Sequence, residues 1–118
     1  MPSITRIPHH ADDAAREAVA PERLLSGRPQ QAVANLYSDP GNAFHCGVWE
    51  GDPGAWRVQY SEHEFCHLLS GRVRMTADDG DEVVLAAGDS FVIPAGYCGV
   101  WEVLEPARKL YAVYEPAS

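Results

Sequence analysis

The sequence predicts an all-β protein, either a sandwich or a barrel of short antiparallel strands. From Ala32 onward, short apolar or alternating segments are separated by Gly, Pro, Asn and Asp residues, and this spacing is typical of such folds. The pair Asp79-Gly80 is suited to a tight hairpin, because glycine takes positive φ without strain. A length of 118 residues fits one domain with its own core.

Each predicted strand is bounded by turn residues. Pro40-Gly41 and Pro53-Gly54 follow early strands, and Ser70-Gly71 ends a later one. In chain order the predicted strands are Ala32–Tyr37, Phe44–Glu50, Trp56–Tyr60, Glu64–Leu69, Arg72–Thr76, Glu82–Leu85, Phe91–Ile93, Val100–Leu104 and Leu110–Tyr114.

The first residues differ in composition from the rest. Residues 1–31 are predicted to form an N-terminal arm, and residues 32–118 the β domain. Within the arm, an Ala- and Arg-rich stretch predicts a short helix at Asp13–Val19. A second helical turn is expected at Pro21–Leu25, stopped by Gly27.

The charge and composition argue against several classes of partner. A net charge of -8 disfavours binding to nucleic acid or to an anionic membrane surface. No apolar run approaches the roughly 20 residues of a membrane helix, and the N-terminus lacks the apolar core of a signal peptide. Three widely spaced cysteines do not form a disulfide framework. We therefore expect a cytoplasmic protein with no nucleic-acid or membrane partner.

The segment Gly88-Asp89-Ser90-Phe91-Val92-Ile93-Pro94-Ala95-Gly96 contains a turn, a short apolar strand and a second turn. It resembles the second motif of the cupin superfamily. The resemblance implies a double-stranded β-helix, the jelly-roll barrel of cupins, preceded here by the short N-terminal arm. In metal-binding cupins a histidine ligand follows this motif, and the corresponding residue here is Gly99.

The first cupin motif is represented by Glu64 and Gly71, with Leu68-Leu69 between them. The resemblance places Val58 and Tyr60 where that motif has two metal-binding histidines. Of the four usual ligands only Glu64 remains, so we expect no metal and no other cofactor.

A closer resemblance is to short cupins that contain ureidoglycine aminohydrolase-like domains. It spans about residues 44–115 and includes Gly47–Glu50, Glu64–Gly71 and Trp101–Lys109. It also implies a homodimer. The aminohydrolases are two-barrel proteins that use manganese, whereas this chain has one barrel and lacks the usual ligands.

Strand alternation sorts the residues around Glu64 onto two faces. Glu62, Glu64 and Cys66 share one face, and His63 and His67 share the other with Phe65. Alternation alone does not decide which face of the last strand is inward.

The resemblance favours Lys109 and Tyr111 inside the barrel, where they would meet Glu64. A buried carboxylate requires such partners. We interpret Glu64, Lys109 and Tyr111 as candidate catalytic residues for acid–base chemistry or anion recognition. The alternative is a structural ion pair at the barrel mouth.

Tyr60, Cys66 and Trp101 are the candidate ligand-binding residues. Trp101 has the same strand parity as Gly99 and should point into the barrel, although plain core packing would explain it too. Cys66 lies among apolar neighbours, where cysteine usually behaves as a small inert hydrophobe.

Three functions remain open, and the sequence does not decide whether the protein is an enzyme. The first is a metal-independent cupin that binds a small polar molecule, such as a carboxylate or a ureide. The second is a metal-dependent hydrolase similar to ureidoglycine aminohydrolase, with an altered site around Glu62, Glu64 and His67. The third is a non-catalytic dimeric module that regulates or supports a partner.

Overall fold

The computed structural model describes residues 2–116 and is built entirely of strands and their connections, with no helix in that range. The predicted all-β class is therefore confirmed. Within the same residues no segment meets the length and apolarity required of a membrane-crossing helix. The expected cytoplasmic location stays a prediction. The strands are β1 (Glu17–Ala18), β2 (Leu24–Ser26), β3 (Gln30–Ser38), β4 (Phe44–Gly51), β5 (Gly54–Gln59), β6 (His63–Ala77), β7 (Glu82–Ala86), β8 (Ser90–Ile93) and β9 (Cys98–Tyr114).

The strands form one curled antiparallel sheet. Its order is β1-β3-β4-β9-β5-β2, and β6 joins it by pairing with β9. The other edge of β6 carries β8 along its first half and β7 along its second half. This half-barrel is consistent with the predicted double-stranded β-helix of cupins.

Strands β6 and β9 are each a single long strand where the sequence predicts two. Residues Ser70-Gly71, expected to end a strand, instead lie within β6 as irregularities in its pairing with β9. Such bulges bend a strand without ending it. The bend lets β6 follow the curvature of the barrel while it pairs with β9 almost from end to end.

The concave face of the sheet carries the core. Leu68, Val73 and Val103 are fully buried there, together with Cys66. Three tryptophans belong to the same cluster: Trp49, Trp56 and Trp101. Alternation along the long strands therefore directs mainly apolar residues inward, with Glu64 and Lys109 as the charged exceptions.

The helix expected at Asp13–Val19 is wrong. The turn expected at Pro21–Leu25 is present over its first residues, where the Arg23 N–H donates to Ala20 O and the Leu24 N–H to Pro21 O, but it leads into a strand. Strand β1 lies within the first segment and pairs with β3, and β2 begins in the second, at Leu24, and pairs with β5. A helix this short is marginal by itself. Pairing at the sheet edges and burial of Ala11 and Val19 determine the structure instead. Where the domain itself begins stays a prediction.

We predict that Gly71→Ala is more destabilising than Gly80→Ala. Both glycines have positive φ, +87° and +94°, and alanine in such a conformation costs about 1–2 kcal/mol. At Gly71 the added methyl would also collide with the Pro106 carbonyl oxygen, whereas nothing lies within 4 Å at Gly80. Overpacking of this kind adds about 1–3 kcal/mol. Denaturant unfolding of the two variants measures the difference, and equal losses would contradict the close approach at Gly71.

Candidate functional site

A cavity of about 430 Å³ opens on the concave face of the sheet. Its walls are aromatic, its base holds a carboxylate and an ammonium group, and polar side chains surround its mouth. The aromatic residues are Trp49, Trp56, Tyr60 and Trp101, the charged pair is Glu64 and Lys109, and the mouth includes Arg23, Asn35, His45, Glu62 and Tyr111. The cavity therefore contains five of the six residues singled out from the sequence, all except Cys66.

The charged pair at the base of the cavity is short and buried. Lys109 Nζ donates a hydrogen bond of 2.6 Å to Glu64 Oε2, and the two side chains are only 6% and 11% exposed. The register of the sheet explains why these two side chains meet. Glu64 pairs with Val113 and Lys109 pairs with Leu68, and both side chains point inward. Little solvent screening remains at such depth, so the attraction is stronger than in a surface ion pair.

Two tryptophans surround the ammonium group. Lys109 Nζ lies 4.5 Å from the centroid of the Trp101 ring and 5.4 Å from that of Trp49, both within cation–π distance. Burial lowers the pKa of Lys109, but the adjoining Cys66 and Glu64 raise it more, and the net shift is upward. Lys109 is therefore charged at neutral pH and acts as a hydrogen-bond donor, not as a base.

Cys66 lies behind the charged pair instead of on the cavity wall. Its thiol donates to Glu64 Oε2 at 3.0 Å and accepts from Lys109 Nζ at 3.5 Å. Burial is the main cause that raises the pKa of the thiol to about 12. Because Cys66 is 0% exposed, it contacts the pair and not the open space that a ligand would enter.

Both tyrosines line the cavity as neutral hydroxyl groups. Burial is the largest cause that raises the pKa of Tyr60, and also that of Tyr111, to about 12. Tyr111 Oη donates to Asn35 Oδ1 at 2.8 Å. At neutral pH the two phenols can donate hydrogen bonds but hold their protons too tightly to be bases.

A hydrogen-bonded chain at the mouth was missed by the sequence reasoning. Asn35 Nδ2 donates to Ser38 Oγ at 2.9 Å, and Ser38 Oγ lies 2.6 Å from His45 Nδ1. Together with the bond from Tyr111 to Asn35, this chain joins four polar side chains beside the cavity. A bulge between Asn35 and Tyr37 shifts the register of β3, so simple alternation could not place Asn35 and Ser38 on one side.

The histidines near Glu64 lie on the opposite face of β6. His63 Nδ1 accepts the Ala95 N–H at 3.1 Å, and His67 Nδ1 lies 2.8 Å from Ser90 Oγ. Glu62 and Glu64 line the cavity on the concave side. An altered metal site that combines these two carboxylates with His67 is therefore ruled out by strand geometry.

The residues of the cavity do not fit the usual cupin metal. Val58 has no donor, and a side chain at Gly99 would collide with the Thr76 carbonyl oxygen. Glu64 already has a cation beside it, the ammonium of Lys109. In residues 2–116 the one cluster whose side chains are close enough to share a metal ion is His10, Asp12 and Glu50. It lies outside the cavity, and Glu50 accepts a hydrogen bond from the Ala11 N–H.

We predict unequal costs for removing the two members of the charged pair. Glu64→Ala leaves a buried, unpaired ammonium group and should cost about 3–5 kcal/mol. Lys109→Met should cost less, because Glu64 can take up a proton. The control is Arg72→Met, which removes an exposed pair with Glu105 (3.4 Å) and should cost about 1 kcal/mol or less. Denaturant midpoints measure all three, and equal small losses would show that the pair is not buried.

We predict that the free energy of unfolding falls as the pH rises above about 9. The pKa of Cys66 rises from 9.0 to about 12 on folding, and that of Tyr60 from 10.0 to about 12. A group whose pKa is higher in the folded chain than in the unfolded chain contributes its full stabilisation at a pH below the unfolded pKa. This contribution is lost as the pH rises through the folded pKa. Each group contributes a slope of up to about 1.4 kcal/mol per pH unit.

The measurement is the denaturant midpoint between pH 8 and 12. Cys66→Ala should remove the earliest part of the decline, and Tyr60→Phe a later part. A flat profile in the unsubstituted protein would mean that these groups are not desolvated.

Comparison with known proteins supports the fold and gives the family. Residues 38–111 match the model of the EutQ-like cupin domain. A DUF861 family protein of unknown function from Pseudomonas syringae shares 27% identity, with a TM-score of 0.73 over 85% of this chain and 44% of that one. A DUF861 family protein from Thermotoga maritima is 38% identical, with a TM-score of 0.54 over 54% of this chain and 73% of that one.

The Clostridium difficile EutQ protein has the same fold at 20% identity, with a TM-score of 0.66 over 74% of this chain and 64% of that one. This chain thus spans less than half of the Pseudomonas protein and less than two thirds of the Clostridium protein. No curated protein matches the sequence. The finer resemblance to ureidoglycine aminohydrolases stays a prediction. Because the matching model covers more than half of the sequence, the chain belongs to the EutQ-like cupin domain family.

Proposed function

We propose that the barrel binds a small, planar, polar molecule without a metal ion. The observation that carries this proposal is the buried Glu64–Lys109 pair at the base of an aromatic cavity of about 430 Å³. A mostly apolar cavity with a few fixed polar groups is the usual form of a small-molecule site. A cavity of this volume can hold a small metabolite or a compound of only a few non-hydrogen atoms.

Of the two ligand classes expected from the sequence, the pair is better matched to a ureide. A ureide has N–H donors for the Glu64 carboxylate and a carbonyl acceptor for the Lys109 ammonium. Its planar group can also stack on an indole ring such as that of Trp101. A carboxylate would interact with Lys109 but would be repelled by Glu64. The site therefore accepts a neutral planar group without separating the ion pair.

The side chains support binding more directly than catalysis. Lys109 and Tyr111, two of the candidate catalytic residues, have a raised pKa and stay protonated at neutral pH. Efficient acid–base catalysts have a pKa near the working pH. Both residues are suited to hold a carbonyl or carboxylate oxygen by donating hydrogen bonds.

The metal-dependent hydrolase is the less supported alternative. It would need a divalent cation beside Glu64. That position is already taken by the Lys109 ammonium, whose Nζ lies 2.6 Å from Glu64 Oε2. Electrostatic repulsion between the two cations opposes that arrangement. A hydrolase of this kind would also have few imidazole ligands, since His63 and His67 lie on the other face and His45 alone lines the cavity, at its mouth.

The homodimer and the non-catalytic dimeric module stay predictions. The outer face of the sheet offers apolar area for a second copy, because Phe44, Phe65, Val92 and Tyr114 are between 39% and 61% exposed. Cross-strand pairing brings Phe65 beside Val92, and Phe44 beside Tyr114. Adjacent exposed apolar residues of this kind often mark an interface.

We predict that the protein binds a small ureide and that binding survives removal of metal. Isothermal titration calorimetry with methylurea, acetate and N-carbamoylglycine compares a ureide, a carboxylate and a molecule with both groups. Lys109→Met should abolish binding, whereas Arg72→Met, which removes an exposed cation, should not change it. Absence of heat with all three probes would refute the proposed ligand classes, and loss of binding after chelation would favour the hydrolase.

A further inference from the structure

We propose that Cys66 and Lys109 are a site of oxidative modification, where peroxide joins the cysteine sulfur to the lysine nitrogen. The two atoms lie 3.5 Å apart, and Glu64 Oε2 contacts both, at 3.0 Å from the sulfur and 2.6 Å from the nitrogen. A thiol, an ammonium group and a carboxylate that can accept a proton therefore meet in one buried cluster.

A neighbouring lysine distinguishes Cys66 from the other cysteines. Lys109 is the only lysine of the chain, so no other side-chain amine can compete for the sulfur. The Cys98 thiol instead contacts the Gly96 carbonyl oxygen at 3.6 Å. A carbonyl oxygen cannot form a bond to an oxidised sulfur in the way that an amine can.

The reaction needs one molecule of peroxide and proceeds in two steps. In the first, the Cys66 sulfur attacks hydrogen peroxide, the O–O bond breaks, and a sulfenic acid and one water form. In the second, the small fraction of Lys109 that has passed its extra proton to Glu64 reacts, and its nitrogen attacks the sulfur. The S–N bond forms, the S–O bond breaks, and the hydroxyl leaves with a proton as a second water. The sulfur is oxidised by two electrons and the peroxide is reduced.

The surroundings make this reaction slow but selective. Peroxide can reach Lys109 and Glu64 through the cavity that they line. Cys66 is 0% exposed behind them, so its sulfur meets peroxide only during local opening of the structure. Burial raises the pKa of Cys66 to about 12, so little thiolate is present. Cys46 and Cys98 are partly exposed and also react with peroxide. Both are therefore replaced before the test.

The crosslink would control the site described under "Proposed function", and this consequence rests on that proposal. Bond formation removes the positive charge of Lys109 and leaves Glu64 without its ionic partner. A ligand that needs both groups would no longer bind, and reduction of the S–N bond would restore binding. The modification itself requires only the three side chains and can be tested without any ligand.

The test uses the full chain with Cys46→Ser and Cys98→Ser, exposed to excess hydrogen peroxide for hours. Peptides from a protease that does not cut at lysine are analysed by mass spectrometry. We expect a peptide containing Cys66 joined to one containing Lys109, and its loss on treatment with dithiothreitol. A link that retains an oxygen between sulfur and nitrogen, formed with a second peroxide, joins the same residues and supports the same assignment.

The matched control is Lys109→Arg, which keeps a cation beside Glu64 but replaces the amine with a poorly nucleophilic guanidinium. This variant should fold and give no crosslink. If Cys66 in the parent protein is recovered only as thiol, sulfinic acid or sulfonic acid, the proposal is refuted. Methylurea binding is measured separately on untreated protein. Its absence would refute the proposed ligand site without bearing on the crosslink.

Discussion

The ion pair between Glu64 and Lys109 determines much of what surrounds it. Two charges at this depth lose the water that would solvate them, and a penalty of several kcal/mol per ion must be offset by contacts in place. The structure provides a hydrogen bond of 2.6 Å, two indole faces beside the ammonium, and a thiol that donates to the same carboxylate oxygen. The positions of Trp49, Trp101 and Cys66 thus follow from the need to satisfy one buried pair.

The same pair bears on how this chain resembles the metal-binding cupins. Glu64 occupies the motif position of a metal ligand, and a carboxylate there needs a cation nearby. In this chain the cation is Lys109, supplied by β9 at the register position opposite Leu68. An ammonium is a hydrogen-bond donor and not a Lewis acid, so this cation suits the recognition of polar groups that we propose and not the activation of water.

Much of this arrangement could be predicted from the sequence, because it depends on strand parity. Glu64 and Cys66 are inward and His63 and Phe65 outward, as alternation requires. Parity could not decide the inward face of the last strand, which carries polar residues on both sides. It also failed for Asn35 and Ser38, since a bulge in β3 brings residues of opposite parity to the same mouth.

The N-terminal arm shows why local sequence preferences were misleading. Its Ala-rich composition favours a helix, yet Val19 joins the main core and β2 pairs with β5, the strand that carries Trp56. Arg23, in the turn before β2, lies at the mouth of the cavity. Long-range pairing outweighs a helix propensity of a few tenths of a kcal/mol per residue. The arm therefore contributes a cation to the site, which no reading confined to the cupin motifs could have included.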